Sequence, residues 1–228
     1  MSLLNPWFIG SLGFLFIWFV IWMARKKLRK EMVWASLLTM PFGLFEPFFV
    51  PEYWSPPSLF NLAITTGFDI ESFIFAFAFG GVGSVLYEFL TNKRHKKIRK
   101  YKRDSRKYKF HLFAILSMPL ILILLIIFTD LNPIYSAIIA MFVSTILAVI
   151  CRHDLKNRVW IGGVSFSMLY FLFFLLINLI YPTFVQNVWN LEAISGILII
   201  GVPLEELLFA FTFGMLWSTI YEHVNWYK

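Results

Sequence analysis

All 20 Lys and Arg residues of this chain follow the first, third, fifth or seventh of seven apolar stretches. The stretches are Trp7–Ala24, Met32–Val50, Phe68–Leu90, Phe110–Phe128, Pro133–Ile150, Val159–Ile180 and Ile197–Ile220. Each has roughly the 17 to 25 residues that carry a helix across a bilayer. The basic clusters are Arg25–Lys30, Lys93–Lys109, Arg152–Arg158 and Lys228, whereas 51–67, 129–132 and 181–196 hold none. Positive loops stay cytoplasmic. The alternation therefore predicts an all-α membrane protein of seven transmembrane helices in the plasma (cytoplasmic) membrane, N-terminus outside and C-terminus cytoplasmic. Composition agrees: 59% of residues are hydrophobic and only 14% charged, more apolar surface than a soluble domain of this length can hide. The first stretch has its basic residues after it, the pattern of a retained anchor and not of a cleaved leader.

This topology also accounts for the net charge of +7. The run Lys93–Lys109 is expected to lie against anionic headgroups, so membrane lipids are partners and nucleic acid is not. The single cysteine, Cys151, excludes a disulfide framework or a multi-cysteine metal site.

The chain also repeats itself. Gly67-Phe-Asp-Ile-Glu71-Ser-Phe-Ile-Phe-Ala-Phe-Ala-Phe-Gly80 reads against Gly201-Val-Pro-Leu-Glu205-Glu-Leu-Leu-Phe-Ala-Phe-Thr-Phe-Gly214, and Tyr87-Glu88 against Tyr221-Glu222. Pro47 and Trp54 likewise correspond to Pro182 and Trp189. Three helices end on the opposite side of the membrane, so a linking helix is needed for the second copy to run parallel to the first. The expected division is 1–92 as the first three-helix repeat, 93–132 as the basic loop with linking helix, and 133–228 as the second repeat.

Ionisable residues within a span are costly unless they face a protein interior, which makes them functional candidates. Glu46, Asp69, Glu71, Glu205 and Glu206 gather at one depth, near the side that lacks Lys and Arg. Carboxyls crowded in a dry site supply both a Brønsted acid and a base. The helix macrodipole also favours acids in a first turn, but it does not explain a pair matched across repeats. Aromatic residues surround the same depth, and ring faces stabilise a carbocation; Trp54, Trp189, Phe75 and Phe209 are the expected walls. Glu88 and Glu222 fall at the opposite ends, near basic loops, where interfacial ion pairing is expected.

Several chemistries are set aside. No Lys lies in a span, so there is no retinal Schiff base. The four histidines fall away from the carboxylates, and no metal site is expected there. No dinucleotide fingerprint or phosphate loop is present. The Glu205-Glu206 pair lacks the following arginine of an intramembrane protease motif, Ala210 standing in its place.

Trp189, Gly201-Val-Pro203-Leu-Glu205-Glu206-Leu-Leu-Phe209 and Tyr221-Glu222 together resemble the lycopene cyclase domain of the non-flavin, integral membrane type. The resemblance spans nearly the whole chain in its fused, two-repeat form. The first half departs from the pattern, with Asp69 for the proline and Ser72 for the second glutamate. The resemblance implies a redox-neutral, proton-initiated ring closure of a hydrophobic polyene of lycopene type. Glu205 and Glu206 would be the acid–base pair, Glu71 and Asp69 their partners, and Pro203 part of the substrate-binding segment. No cofactor is required on this reading and reduced flavin is not indicated; a homo-oligomer is left open. The rival readings are a non-catalytic carotenoid- or lipid-binding scaffold, a small transporter, or a cyclase of another isoprenoid.

Overall fold

The computed structural model describes residues 5–92, 97 and 110–227. Its helices are α1 (Pro6–Ala24), α2 (Arg29–Thr39), α3 (Glu46–Phe49), α4 (Leu62–Thr66), α5 (Ile70–Thr91), α6 (His111–Phe128), α7 (Pro133–Cys151), α8 (Lys156–Ile180), α9 (Phe184–Val188) and α10 (Leu204–Asn225). A two-stranded hairpin, β1 (Leu198–Ile199) with β2 (Val202–Pro203), precedes α10. Among the described residues, six segments are long and apolar enough to cross a membrane: α1, Lys26–Phe49, α5, α6, α7 and His153–Ile180. The chain is an integral membrane protein built of α-helices. The seventh expected span, α10, is 22 residues long but carries Glu205, Glu206 and Glu222. Apart from Lys97, the basic run Lys93–Lys109 lies outside the described residues.

Local chemistry sets the helix ends. Asn5 caps α1 by accepting from the Phe8 N–H at 2.6 Å, and Asn132 caps α7 by accepting from the Ile134 N–H at 3.2 Å. Each cap is followed by a proline at the first helical position, where its missing N–H costs nothing.

Two expected spans depart from continuous helix. The second, Met32–Val50, is α2, a 3₁₀ stretch over Met40–Phe45, then α3. Pro41 and Pro47 each remove a helical hydrogen bond, and the tighter turn takes up the break. The seventh, Ile197–Ile220, begins as the hairpin, whose turn residues Ile200 and Gly201 both have positive φ (51° and 79°). Such a turn matches strand twist and forbids helix, so α10 starts only at Leu204.

Glycine brings the central helices together. A Cβ on Gly80 would lie 1.9 Å from Thr39 Oγ1, and one on Gly214 would lie 2.7 Å from the Gly162 carbonyl oxygen and 2.6 Å from Phe166 Cβ. Small residues at such crossings permit backbone approach, the main source of helix association where lipid is as apolar as the side chains. The Gly162 carbonyl is backbone and cannot swing aside. Gly214→Val is therefore expected to destabilise the protein by about 3 kcal/mol, seen as a lowered unfolding temperature in detergent.

Candidate active site

A cavity of about 190 Å³ lies between α1, the 3₁₀ stretch, α5, α7, α8 and α10. Phe75, Phe79, Phe173, Phe209 and Phe213 are among its walls. The rings of Phe79 and Phe213 pack at 4.5 Å, and those of Phe75 and Tyr170 at 6.3 Å. Trp54 and Trp189 bound one end. Their backbones pair as an antiparallel bridge, supported by Ser55 N–H donating to the Val188 carbonyl at 2.7 Å and Asn190 N–H to the Tyr53 carbonyl at 2.9 Å. Their rings meet at 5.3 Å. The loops after α3 and after α9 thus close the cavity by holding each other.

Two carboxyl groups reach this cavity, and they differ in surroundings. Glu206 projects from the first turn of α10 and is buried. Its Oε1 accepts from the Tyr53 hydroxyl at 2.5 Å and from Trp189 Nε1 at 3.0 Å, while Oε2 accepts from the Tyr170 hydroxyl at 2.6 Å. The three donors come from three different segments and all line the cavity. Glu46, at the start of α3, is also buried, and its Oε1 has no hydrogen-bond partner. Ser72, Trp54 and Asp69 are the polar side chains that act on it. Among the described residues, no Lys or Arg lines the cavity.

The remaining expected acids lie outside the lining. Glu205 is 1% exposed, but its Oε1 accepts from the Tyr135 hydroxyl at 2.7 Å and the Ser195 N–H at 3.0 Å. Consecutive residues of a helix point about 100° apart, so Glu205 and Glu206 serve different surroundings. Glu71 does in the first half what Glu205 does in the second. It accepts from the Leu59 N–H at 2.7 Å and Asn5 Nδ2 at 3.0 Å, tying the preceding loop and the start of α1 to α5. Asp69 caps α5, its Oδ1 accepting from the Ser72 N–H at 2.5 Å. Pro203 ends β2 and precedes α10 without joining the lining. Trp54, Trp189, Phe75 and Phe209 do line it.

Tyr170 and Tyr135 were not singled out from the sequence. The signal for Tyr170 was a phenol in the otherwise apolar stretch Val159–Ile180, since a buried Tyr hydroxyl needs a partner.

The opposite end of the bundle holds a second polar centre. Arg158 forms ion pairs with Glu88 and Glu222, and its Nη1 donates to the Ser218 carbonyl at 3.1 Å. Its guanidinium also stands 4.8 Å from the centre of the Tyr87 ring. Glu31 completes this cluster. Glu88 and Glu222 are buried within the bundle, and the ion pairing expected of them is made with Arg158, one of the residues of the Arg152–Arg158 cluster.

The fold and this cavity define an integral membrane protein with a buried, aromatic-walled carboxyl site. The family model described as Lycopene cyclase matches residues 5–90 and 132–224. The chain belongs to that family, whose role is the cyclisation of carotenoids. The two matched regions flank 91–131, the segment that contains α6. No curated protein and no solved structure matches the chain.

Proposed function

We propose that the protein closes the end ring of a lycopene-type polyene by redox-neutral isomerisation, with Glu46 as proton donor and Glu206 as proton acceptor. The observation that carries this reading is the meeting of these two differently held carboxyls in one aromatic cavity without a basic residue. Glu46 would protonate the terminal double bond, leaving a tertiary cation. The next double bond in reach attacks that cation and forms the new ring bond. Loss of a ring proton to Glu206 then restores neutrality and leaves a β-type double bond. One proton is gained and one lost, so the balance needs no electron donor. Return of the proton from Glu206 to Glu46 resets the site.

The surroundings fit these roles. Both oxygens of Glu206 are held by neutral donors, which fixes the base without compensating it by a positive charge. The ring faces of Phe75, Phe79 and Trp189 offer the cation a dry, electron-rich wall. Glu205 and Glu71, expected as catalytic partners, are assigned here to positioning the loops that enter their helices.

In the membrane, we place α10 as a seventh span beside the six apolar ones, with the basic segments on the cytoplasmic side and the cavity toward the other. The two halves are read as parallel three-helix repeats joined by α6. Three pairings support this: Glu71 with Glu205, Trp54 with Trp189, and the Asn-Pro starts of α1 and α7.

Expression in a lycopene-accumulating bacterial strain, followed by pigment chromatography, tests the function. Mono- or dicyclic carotene is expected, and Glu46→Gln should reduce it about 100-fold or more. Unchanged lycopene with folded protein in the membrane would move the substrate to another isoprenoid or the protein to a binding scaffold.

A further inference from the structure

His111, Cys151 and His223 are separated by tens of residues in the chain yet meet at the end of the bundle far from the cavity. They come from the start of α6, the end of α7 and the last turns of α10. One ligating atom from each lies within 4.8 Å of the others. The Cys151 Sγ stands 3.9 Å from His111 Nδ1. On a tetrahedral zinc ion, with Zn–N near 2.0 Å and Zn–S near 2.3 Å, a nitrogen and a sulfur ligand are about 3.5 Å apart.

The independent indication is His223. It is only 2% exposed, and neither of its ring nitrogens has a hydrogen-bond partner. An imidazole always carries at least one acceptor or donor at each nitrogen, and leaving such a group buried and unsatisfied costs about 1–3 kcal/mol. A buried polar group of this kind requires an explanation, and an ion is one of the few that satisfies a lone pair.

We infer that His111, Cys151 and His223 form a binding site for a thiophilic d¹⁰ metal ion of the zinc class, which fastens α6 to α7 and α10. One sulfur and two imidazoles suit such an ion. The imidazole rings now stack, with centroids 4.4 Å apart and planes at 14°. An ion lies in the plane of each ring that ligates it, so His223 must turn about its Cβ–Cγ bond on binding and leave the stack. Among the described residues, Arg152 is the cation that opposes a positive ion there. Its charge is already met by Asp154, which takes two hydrogen bonds at 2.9 and 2.8 Å.

Titration of the purified full-length protein in detergent with Co(II) tests the site. Cys151 is the sole cysteine, so a thiolate-to-cobalt charge-transfer band in the near ultraviolet identifies its own ligand. The expected result is one such band saturating at one equivalent, displaced by Zn(II), absent in Cys151→Ser and weakened at least tenfold in affinity in His223→Gln. Absence of the band from the wild-type protein overturns the proposal, as does a band that His223→Gln leaves unchanged. The wild-type titration decides even if a variant fails to fold. It reads metal binding directly, so it is independent of whether the cavity cyclises a polyene.

Discussion

Glu206→Gln is expected to lower cyclisation by about 10²–10⁴-fold, the range that a positioned acid or base contributes, while the protein remains folded. Gln keeps the size of the side chain. Its carbonyl can still accept from Tyr53 and Trp189, and its amide can donate to the Tyr170 hydroxyl oxygen, so the three partners of Glu206 keep a partner. The group that accepts the ring proton is lost. Glu205→Gln, one residue earlier, should behave oppositely. Its carbonyl likewise keeps the Tyr135 hydroxyl and the Ser195 N–H as partners, with only the charge on those bonds lost, so stability falls by no more than about 1 kcal/mol and turnover less than tenfold. The measurement is carotene formed per amount of membrane-inserted protein in the lycopene-accumulating strain, with unfolding temperatures recorded in parallel. If Glu205→Gln abolishes the product and Glu206→Gln does not, the assignment is inverted and the reading of the cavity fails.

The contrast between these neighbours shows what the sequence could not express. Apolar length, the placement of Lys and Arg, and the recurrence of Glu71 and Glu205 all lie along the chain, and each needs no knowledge of which way a helix faces. Facing is a different matter. In a soluble helix, polar residues mark the outer side; in lipid, the outer side is apolar too, so α10 gives little sign of its inner face. The sequence therefore put Glu205 and Glu206 in one site, and only the packing of α8 and α10 separates them. The same ambiguity hid Tyr170; Pro203, assigned to the substrate-binding segment by the resemblance, stands at the end of a hairpin outside the lining. Glu46 was singled out with the other acids gathered at one depth, and packing alone places it, with Glu206, on the cavity wall. Arg158 was legible only in part. It was counted with the cytoplasmic charges that orient the chain, yet its side chain turns inward to ion pairs that no loop-charge rule contains.

Arg158 carries the second large expectation. Glu31, Glu88 and Glu222 place carboxylate oxygens within 4.8 Å of one another in a buried setting, and Arg158 is the cation that bridges Glu88 and Glu222. Taking a charge out of water is expensive, and removing one partner of a buried pair leaves that cost uncompensated. Arg158→Met should therefore destabilise the protein by about 3–5 kcal/mol. Arg158→Lys retains the charge but cannot fork between two carboxylates while also donating to Ser218, and should fall between the two. The diagnostic step is restoration. Replacing Glu88 and Glu222 by Gln in the Arg158→Met background removes the two carboxylates that Arg158 pairs with and should recover part of the lost stability, Glu31 remaining as the third acid of the cluster. Thermal unfolding in detergent across these variants separates the outcomes. Stability unchanged in Arg158→Met would mean the cluster contributes no net electrostatic tie. Loss without recovery in the triple variant would mean that Arg158 acts through its contacts with Ser218 and Tyr87 and not through its charge.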